Sequence, residues 1–158
     1  MKRFSLLLVA LLVVLSGCSD LSTRSPSAFQ YEGASVGDNS AVVGIAQSLP
    51  LHDCYKSVEL QTKNRPYGLT VRYHDPEIER IEQERLAIRN AATYFTLVQN
   101  ADIVRFAFPN RTYAFSRPEM EAWLGIDFSA IQREEELIAR LDEKIGNEDQ
   151  TEAYFKRV

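Results

Sequence analysis

Alternating polar and apolar residues mark the middle of the chain. Residues 56–63 and residues 68–74 each alternate in this way, the period of a strand with one buried face. The turn-forming sequence Asn64-Arg65-Pro66-Tyr67 separates them. A second pair of short apolar stretches follows at residues 103–108 and 112–115. The pattern therefore predicts two antiparallel hairpins and a sheet of about four strands.

Apolar residues at helical spacing lie before, between and after these strands. Asp38-Asn39-Ser40 provides N-cap residues for a short helix, and Asp75-Pro76-Glu77 predicts the start of a long helix that ends near Asn100. Ser116 and Ser129 each begin a capping-box sequence, which predicts two further helices. Hairpins separated by a long helix indicate an α+β fold, in which an antiparallel sheet has helices packed on one face.

The ends of the predicted domain are less regular. Residues 31–37 contain two glycines and predict a short first strand or an extended segment. Gly146-Asn147 ends the last helix, and we expect the acidic tail after it to be frayed. The predicted organisation has four parts: a signal peptide (1–17), a flexible tether (18–30), an α+β domain (31–125), and a C-terminal helix with an acidic tail (126–158).

The beginning of the chain carries its most specific signal. Lys2 and Arg3 precede an apolar run over residues 4–15, and two small residues then precede Cys18. This is the layout of a secretory signal peptide. Leu15-Ser16-Gly17-Cys18 resembles the lipobox of bacterial lipoproteins. The resemblance implies that the mature chain starts at Cys18, whose lipidated thiol anchors it to the outer face of the cell membrane.

An uncleaved transmembrane anchor is the alternative for this segment. The apolar run ends at Leu15, short of the about 20 apolar residues that a spanning helix needs. The residues that follow are rich in Ser and Thr and carry no cluster of positive charges. We therefore favour the lipoprotein, because acyl chains contribute roughly 0.8 kcal/mol per buried CH₂ and hold such a protein durably.

The charge of the chain argues against one class of partner. Lys2 and Arg3 would leave with the signal peptide, so that 16 of the 18 basic residues would face 22 acidic ones, a net charge of −6. Bulk charge of this sign does not attract nucleic acid or anionic lipid headgroups. We expect no nucleic-acid partner, and membrane attachment through Cys18 alone.

The sequence contains no motif that we associate with catalysis or metal binding. His52 and His74 lie beside turns, and their spacing from Cys54 and Asp75 matches no zinc pattern. We predict no enzymatic activity, no metal and no cofactor. With Cys18 lipidated, Cys54 is left without a partner. A half-buried thiol in a turn is the favoured interpretation, and a reactive or intermolecular thiol is the alternative.

Several motifs resemble the bacterial domain-of-unknown-function 4825 family over about residues 31–119. They are Val36-Gly37-Asp38-Asn39-Ser40, Leu49-Pro50, Glu59-Leu60-Gln61-Thr62, and Pro66-Tyr67-Gly68-Leu69-Thr70-Val71 together with Tyr73. The family is found in Gram-positive lipoproteins and beside membrane metallopeptidase regions of the antibiotic-sensor type. The resemblance implies a sensory or regulatory accessory outside the membrane, and it supplies no catalytic residues.

The candidate binding residues are Asp38, Asn39, Gln61, Tyr67 and Tyr73. A helix that starts after Asp38 offers amides to an anion, although capping alone explains Asp38 and Asn39. Tyrosines near the first hairpin suit a contact surface. We predict an extracytoplasmic interaction or sensory module whose partner is a membrane-associated or cell-wall-associated protein. A small-molecule-binding envelope lipoprotein, or an enzyme with an unrecognised site, is the alternative.

Overall fold

A computed structural model of the protein describes residues 27–157, so the predicted signal peptide, Cys18 and most of the predicted tether lie outside it. The helices and strands are α1 (Asn39–Ser48), β1 (Tyr55–Gln61), β2 (Gly68–Tyr73), α2 (Arg80–Leu97), β3 (Ile103–Ala107), β4 (Thr112–Ser116), α3 (Arg117–Leu124), α4 (Glu134–Ile145) and α5 (Glu148–Arg157). These elements form a mixed α+β fold, as the sequence predicts. None of the helices between residues 27 and 157 combines the length and the apolar character needed to cross a lipid bilayer.

The four strands form one sheet in the order β1-β2-β3-β4. β1 pairs antiparallel with β2, and β3 pairs antiparallel with β4, but β2 and β3 run parallel. The prediction of an antiparallel sheet is therefore wrong for the central pair. The reason is the 18-residue helix α2 between them, because a helical crossover returns the chain to the same end of the sheet and starts the next strand in the same direction.

Alternate strand residues build the core. Leu69 and Val71 of β2 are at most 1% exposed, and Phe106 of β3 and Phe115 of β4 are equally buried. The Phe106 and Phe115 rings lie 6.1 Å apart in an edge-to-face arrangement, a geometry that aromatic pairs favour. The aromatic residues of the last two strands therefore belong to the core.

The long helix α2 is the centre of this core. Every residue from 90 to 98 is buried, because the sheet, α4, α5 and two short 3₁₀ turns all contact the helix. The helix begins at Arg80, so the predicted start at Asp75 is wrong. The Asp75 carboxylate accepts the amide of Glu77 at 3.1 Å, and Glu77 has a φ of 51°. That left-handed residue is incompatible with an α-helix running through it.

The N-terminal part of the described chain is more regular than the sequence predicts. A 3₁₀ turn at Ala28–Tyr31 packs against α1 and α2, and Ala28 is 2% exposed. The predicted flexible tether therefore gives way to packed structure by Ala28, before its expected end at residue 30. Of the two alternatives for residues 31–37, the short strand does not form, since the segment makes a single bridge between Ala34 and Val98.

The C-terminal tail is also regular, so the expectation of fraying is wrong. Residues Glu148–Arg157 form α5, and Tyr154 is 3% exposed. The Tyr154 ring lies 4.8 Å from the ring of Trp123 and 5.8 Å from that of Phe115. Thr151, Tyr154 and Phe155 share one helical face. This spacing indicates a helix with a buried side, even though the tail is acidic overall.

The two predicted capping boxes have different outcomes. Ser116 donates to the Glu119 carboxylate and does not cap the backbone with its side chain, yet α3 does begin at the next residue. The hydroxyl and the amide of Ser129 both donate to Asp127 within a 3₁₀ turn, so α4 starts only at Glu134. Gly125, with a φ of 69°, ends α3.

Replacing Tyr154 with alanine tests the packing of α5. We expect Tyr154→Ala to lower the free energy of unfolding by about 3 kcal/mol or more, as for other buried aromatic truncations. The neighbouring Gln150→Ala, at an exposed position of the same helix, should change it by less than about 0.5 kcal/mol. Urea denaturation followed through the fluorescence of Trp123, the only tryptophan, measures both. Equal stability of the two variants would mean that the tail is frayed.

Candidate functional site

The strand positions that alternate with the core residues carry polar side chains. Five of them, Glu59, Gln61, Thr70, Arg72 and Arg105, form what we call the polar sheet face; all are half-buried or exposed. The register places Glu59 opposite Thr70, and Thr70 opposite Arg105. The polar sheet face therefore runs across β1, β2 and β3.

Glu59 and Arg72 form a two-point ion pair on this face. Arg72 donates through Nε to Glu59 Oε1 at 2.9 Å and through Nη2 to Oε2 at 3.1 Å. This hydrogen bonding and the charge of Arg72 lower the pKa of the Glu59 carboxyl below its ordinary value. Exposed ion pairs contribute little to stability, but bidentate geometry fixes the orientation of both side chains. The pair therefore gives the polar sheet face a defined shape.

Arg105 differs from Arg72 because no acidic side chain among residues 27–157 lies within ion-pair distance of it. Its neighbours across the strands are Thr70 and Ala114, which are too small to cover a guanidinium. With Glu59 and Gln61, Arg105 lines a shallow depression of about 140 Å³. The depression thus presents one cation that the described part of the protein does not neutralise.

Gly68 lies beneath the same depression and lets β2 and β3 approach closely. A Cβ atom at this position would lie 2.7 Å from the carbonyl oxygen of Ile103, well inside van der Waals contact. Any side chain here would push apart the two parallel strands. Gly68 is therefore a requirement of the sheet.

Asp102 attaches the β1–β2 turn to the start of β3. Its carboxylate accepts the Tyr67 amide at 2.7 Å and lies 3.3 Å from Arg65 Nη1. Its own amide donates to the Tyr67 carbonyl at 2.8 Å. The Arg65 guanidinium lies 5.1 Å from the centroid of the Tyr67 ring, within the range of a cation–π contact. The Asp102 carboxylate consequently holds the turn in place, although Asp102 is not among the predicted binding residues.

The comparison with protein families matches the part of the chain that contains the whole sheet. The family profile described as "Domain of unknown function (DUF4825)" covers residues 28–118, more than half of the 158 residues. The chain belongs to the DUF4825 family. No curated protein and no solved structure matches it. Asp102 and Arg105 lie inside the DUF4825 segment, whereas α4 and α5 follow it.

Two of the five predicted binding residues meet at the β1–β2 turn of the DUF4825 domain. Gln61 Nε2 donates to the Pro66 carbonyl at 2.7 Å, and Tyr67 follows Pro66 directly. Asp38 is the N-cap of α1 and accepts the Ala41 amide at 3.0 Å, with Asn39 exposed beside it. The capping bond accounts for Asp38 without a ligand.

Tyr73, the fifth predicted residue, belongs to the core. It is 4% exposed, and its ring stacks on that of Phe108 at 5.1 Å. Desolvation raises the pKa of its hydroxyl above the ordinary value. A surface partner has no access to this ring, so Tyr73 is not a contact residue.

Two of the residues considered for metal or thiol chemistry lie side by side, since the His74 amide donates to the Cys54 carbonyl at 2.8 Å. Cys54 is half-buried at the end of a 3₁₀ turn, His52–Cys54, and forms no disulfide in the described part of the chain. His74 is exposed at the end of β2. Over residues 27–157, no three His, Cys, Asp or Glu side chains are placed to hold a metal ion together.

Removing the Asp102 carboxylate tests its role in holding the turn. Asp102→Ala leaves the Tyr67 amide without its acceptor, so we expect a loss of about 1–3 kcal/mol in unfolding free energy and faster hydrogen exchange at Tyr67. Asp53→Ala is the control, because the Asp53 side chain is 90% exposed. Urea denaturation and amide exchange by NMR measure the two effects. An unchanged exchange rate at Tyr67 would show that Asp102 does not hold the turn.

Proposed function

We propose that this protein is a membrane-anchored extracytoplasmic lipoprotein whose DUF4825 domain is an interaction or sensory module. The support for the anchor is the lipobox-like Leu15-Ser16-Gly17-Cys18 after an apolar run. In this proposal a lipidated Cys18 holds the domain at the outer face of a Gram-positive cell membrane. The domain contacts a membrane-associated or cell-wall-associated protein and catalyses no reaction.

The observation that carries the interaction role is Arg105. An exposed arginine usually ends near a carboxylate or in open solvent, but Arg105 lies in a depression of the polar sheet face beside a fixed ion pair. We propose that the strands form two hairpins around the parallel pair and that the helices pack on one face only. The polar sheet face is then left for the partner.

The charges of the polar sheet face define the chemistry of that partner. Glu59 already neutralises Arg72, so an incoming carboxylate finds its best position at Arg105. A mature domain with a net charge of −6 repels acidic partners elsewhere on its surface. We therefore propose a partner segment with an acidic side chain, which this face attracts. Tyr67, half-buried in the turn before β2 and packed in part against the core, is a second proposed contact residue at the edge of this face.

A small-molecule-binding lipoprotein is the second candidate function. A cleft of about 440 Å³ between α2 and α4 favours it. An enzyme with an unrecognised site receives no support from a particular feature of the described residues.

The lipid anchor is tested by Cys18→Ala. We expect this variant to take up no labelled palmitate and to accumulate as the uncleaved precursor, because the thiol is the site of lipid attachment. Cys54→Ala, which removes the other cysteine, should be labelled and cleaved normally. Metabolic labelling and gel mobility measure both. Normal labelling of the Cys18 variant would disprove the anchor.

The contact surface is tested by crosslinking the protein in intact cells and identifying its partners by mass spectrometry. We expect Arg105→Glu to lose the dominant membrane partner through charge repulsion, and Tyr67→Ala to weaken it. Arg140→Glu makes the same charge change at an exposed position of α4 and should keep the partner. A partner that survives Arg105→Glu at wild-type yield would contradict the proposed surface.

A further inference from the structure

A second candidate site lies on the helical part of the protein, in a cleft of about 440 Å³ between α2 and α4. Small-molecule sites have volumes of about 300–1,000 Å³, so the cleft is of suitable size. Arg85 and Arg89 line it from α2, and Asp142 and Ile145 line it from α4. Because α4 follows the DUF4825 segment, one wall of the cleft comes from outside that segment.

The two arginines stand four residues apart on α2 and therefore share one helical face. Arg89 donates through Nη2 to Asp142 at 2.7 Å. Among the acidic side chains of residues 27–157, Glu82 alone lies within ion-pair range of Arg85, at 4.0 Å, which is too long for a hydrogen bond. Like charges at this spacing repel each other, so the cleft favours an additional anion beside Arg85.

The Nε atom of Arg85 makes the need for an acceptor more specific. It is buried and has no hydrogen-bond acceptor among residues 27–157, whereas the side chain as a whole is 30% exposed. A buried donor without an acceptor is costly. A ligand in the cleft reaches the exposed part of the Arg85 side chain, and the two oxygens of a carboxylate match the spacing of paired guanidinium donors.

The remaining walls of the cleft are apolar. Leu86 lies next to Arg85 in α2, Ile145 ends α4, and Pro50 closes the cleft from the end of α1. Glu82 and Asp142 balance the two arginines in formal charge. A ligand with one negative charge and a short apolar chain fits this combination better than a multiply charged oxyanion does.

We propose that the cleft between α2 and α4 binds a small aliphatic carboxylate, with Arg85 holding the carboxylate and Leu86 and Ile145 contacting the chain. This site is separate from the polar sheet face, so a negative result at one of the two sites does not bear on the other. Hexanoate is a suitable probe because it carries one carboxylate and an unbranched aliphatic chain.

Binding is measured with the purified full-length chain in detergent, by calorimetry and by chemical shifts of the α2 amides. We expect saturable binding of hexanoate, tighter than that of acetate by up to about fourfold for each methylene that the apolar wall covers. Hexanol, which lacks the charge, should not bind. Arg85→Gln should weaken hexanoate binding by about tenfold or more, the loss of hydrogen bonds to a charged group, while Arg105→Gln on the sheet should not change it.

Glu82→Gln provides a second variant whose effect has the opposite sign. It removes the carboxylate that competes for Arg85, so hexanoate should bind more tightly, and this arm remains decisive if Arg85→Gln fails to fold. Absence of saturable hexanoate binding would overturn the proposal, as would equal affinity in Arg85→Gln or weaker binding in Glu82→Gln. Inorganic phosphate binding as tightly as hexanoate would overturn the assignment of an aliphatic carboxylate.

Discussion

The guanidinium of Arg117 connects the parts of this molecule. It donates to the carbonyls of Val98 and Ala101, both at 2.9 Å, just beyond the C-terminus of α2, where a helix has unsatisfied acceptors and a negative dipole end. Its Cζ lies 5.1 Å from the ring centroid of Phe95 and 5.8 Å from that of Phe128. Desolvation lowers the pKa of Arg117, but arginine remains charged in proteins. One half-buried cation thereby fixes the end of α2 and the start of α3.

The position of the candidate surface follows from this contact. The Arg117 amide donates to the Asp102 carbonyl at 3.0 Å, and the Asp102 carboxylate in turn holds the Tyr67 amide. A continuous set of bonds therefore leads from the end of α2 to the β1–β2 turn and into β2. These bonds to the core fix the geometry of the polar sheet face. A preformed surface of this kind loses little conformational freedom when it binds a partner.

Local pattern predicted most elements of the fold, and tertiary context decided the rest. Alternation located all four strands to within two residues at each end, because the period of a half-buried strand is local. The parallel pairing of β2 and β3 depends on the path of a helix and has no local signal. Glu84 shows the same limit: it falls within the charged part of α2 but is 1% exposed, with Arg80 Nη1 2.7 Å from its carboxylate.

The candidate site was predictable only in part. Tyr67 and Gln61 were predictable from a family motif. Asp102 was not, because it binds an amide 35 residues away in the sequence. Arg105 was not, because it is distinguished only by the absence of an acidic partner among the described residues. The burial of Tyr73 was predictable, because the alternation of β2 places it on the same face as Leu69 and Val71.

The central claim, that the polar sheet face is the contact surface, is tested most directly by a photocrosslinking amino acid at a single position in living cells. Ala114 adjoins Arg105 across the sheet, and Ala139 is an equally small, exposed residue on α4. The account predicts a discrete adduct from position 114 and none from position 139. An adduct from position 139 alone, or no adduct from position 114 while the wild-type protein still crosslinks to its partner, would contradict it.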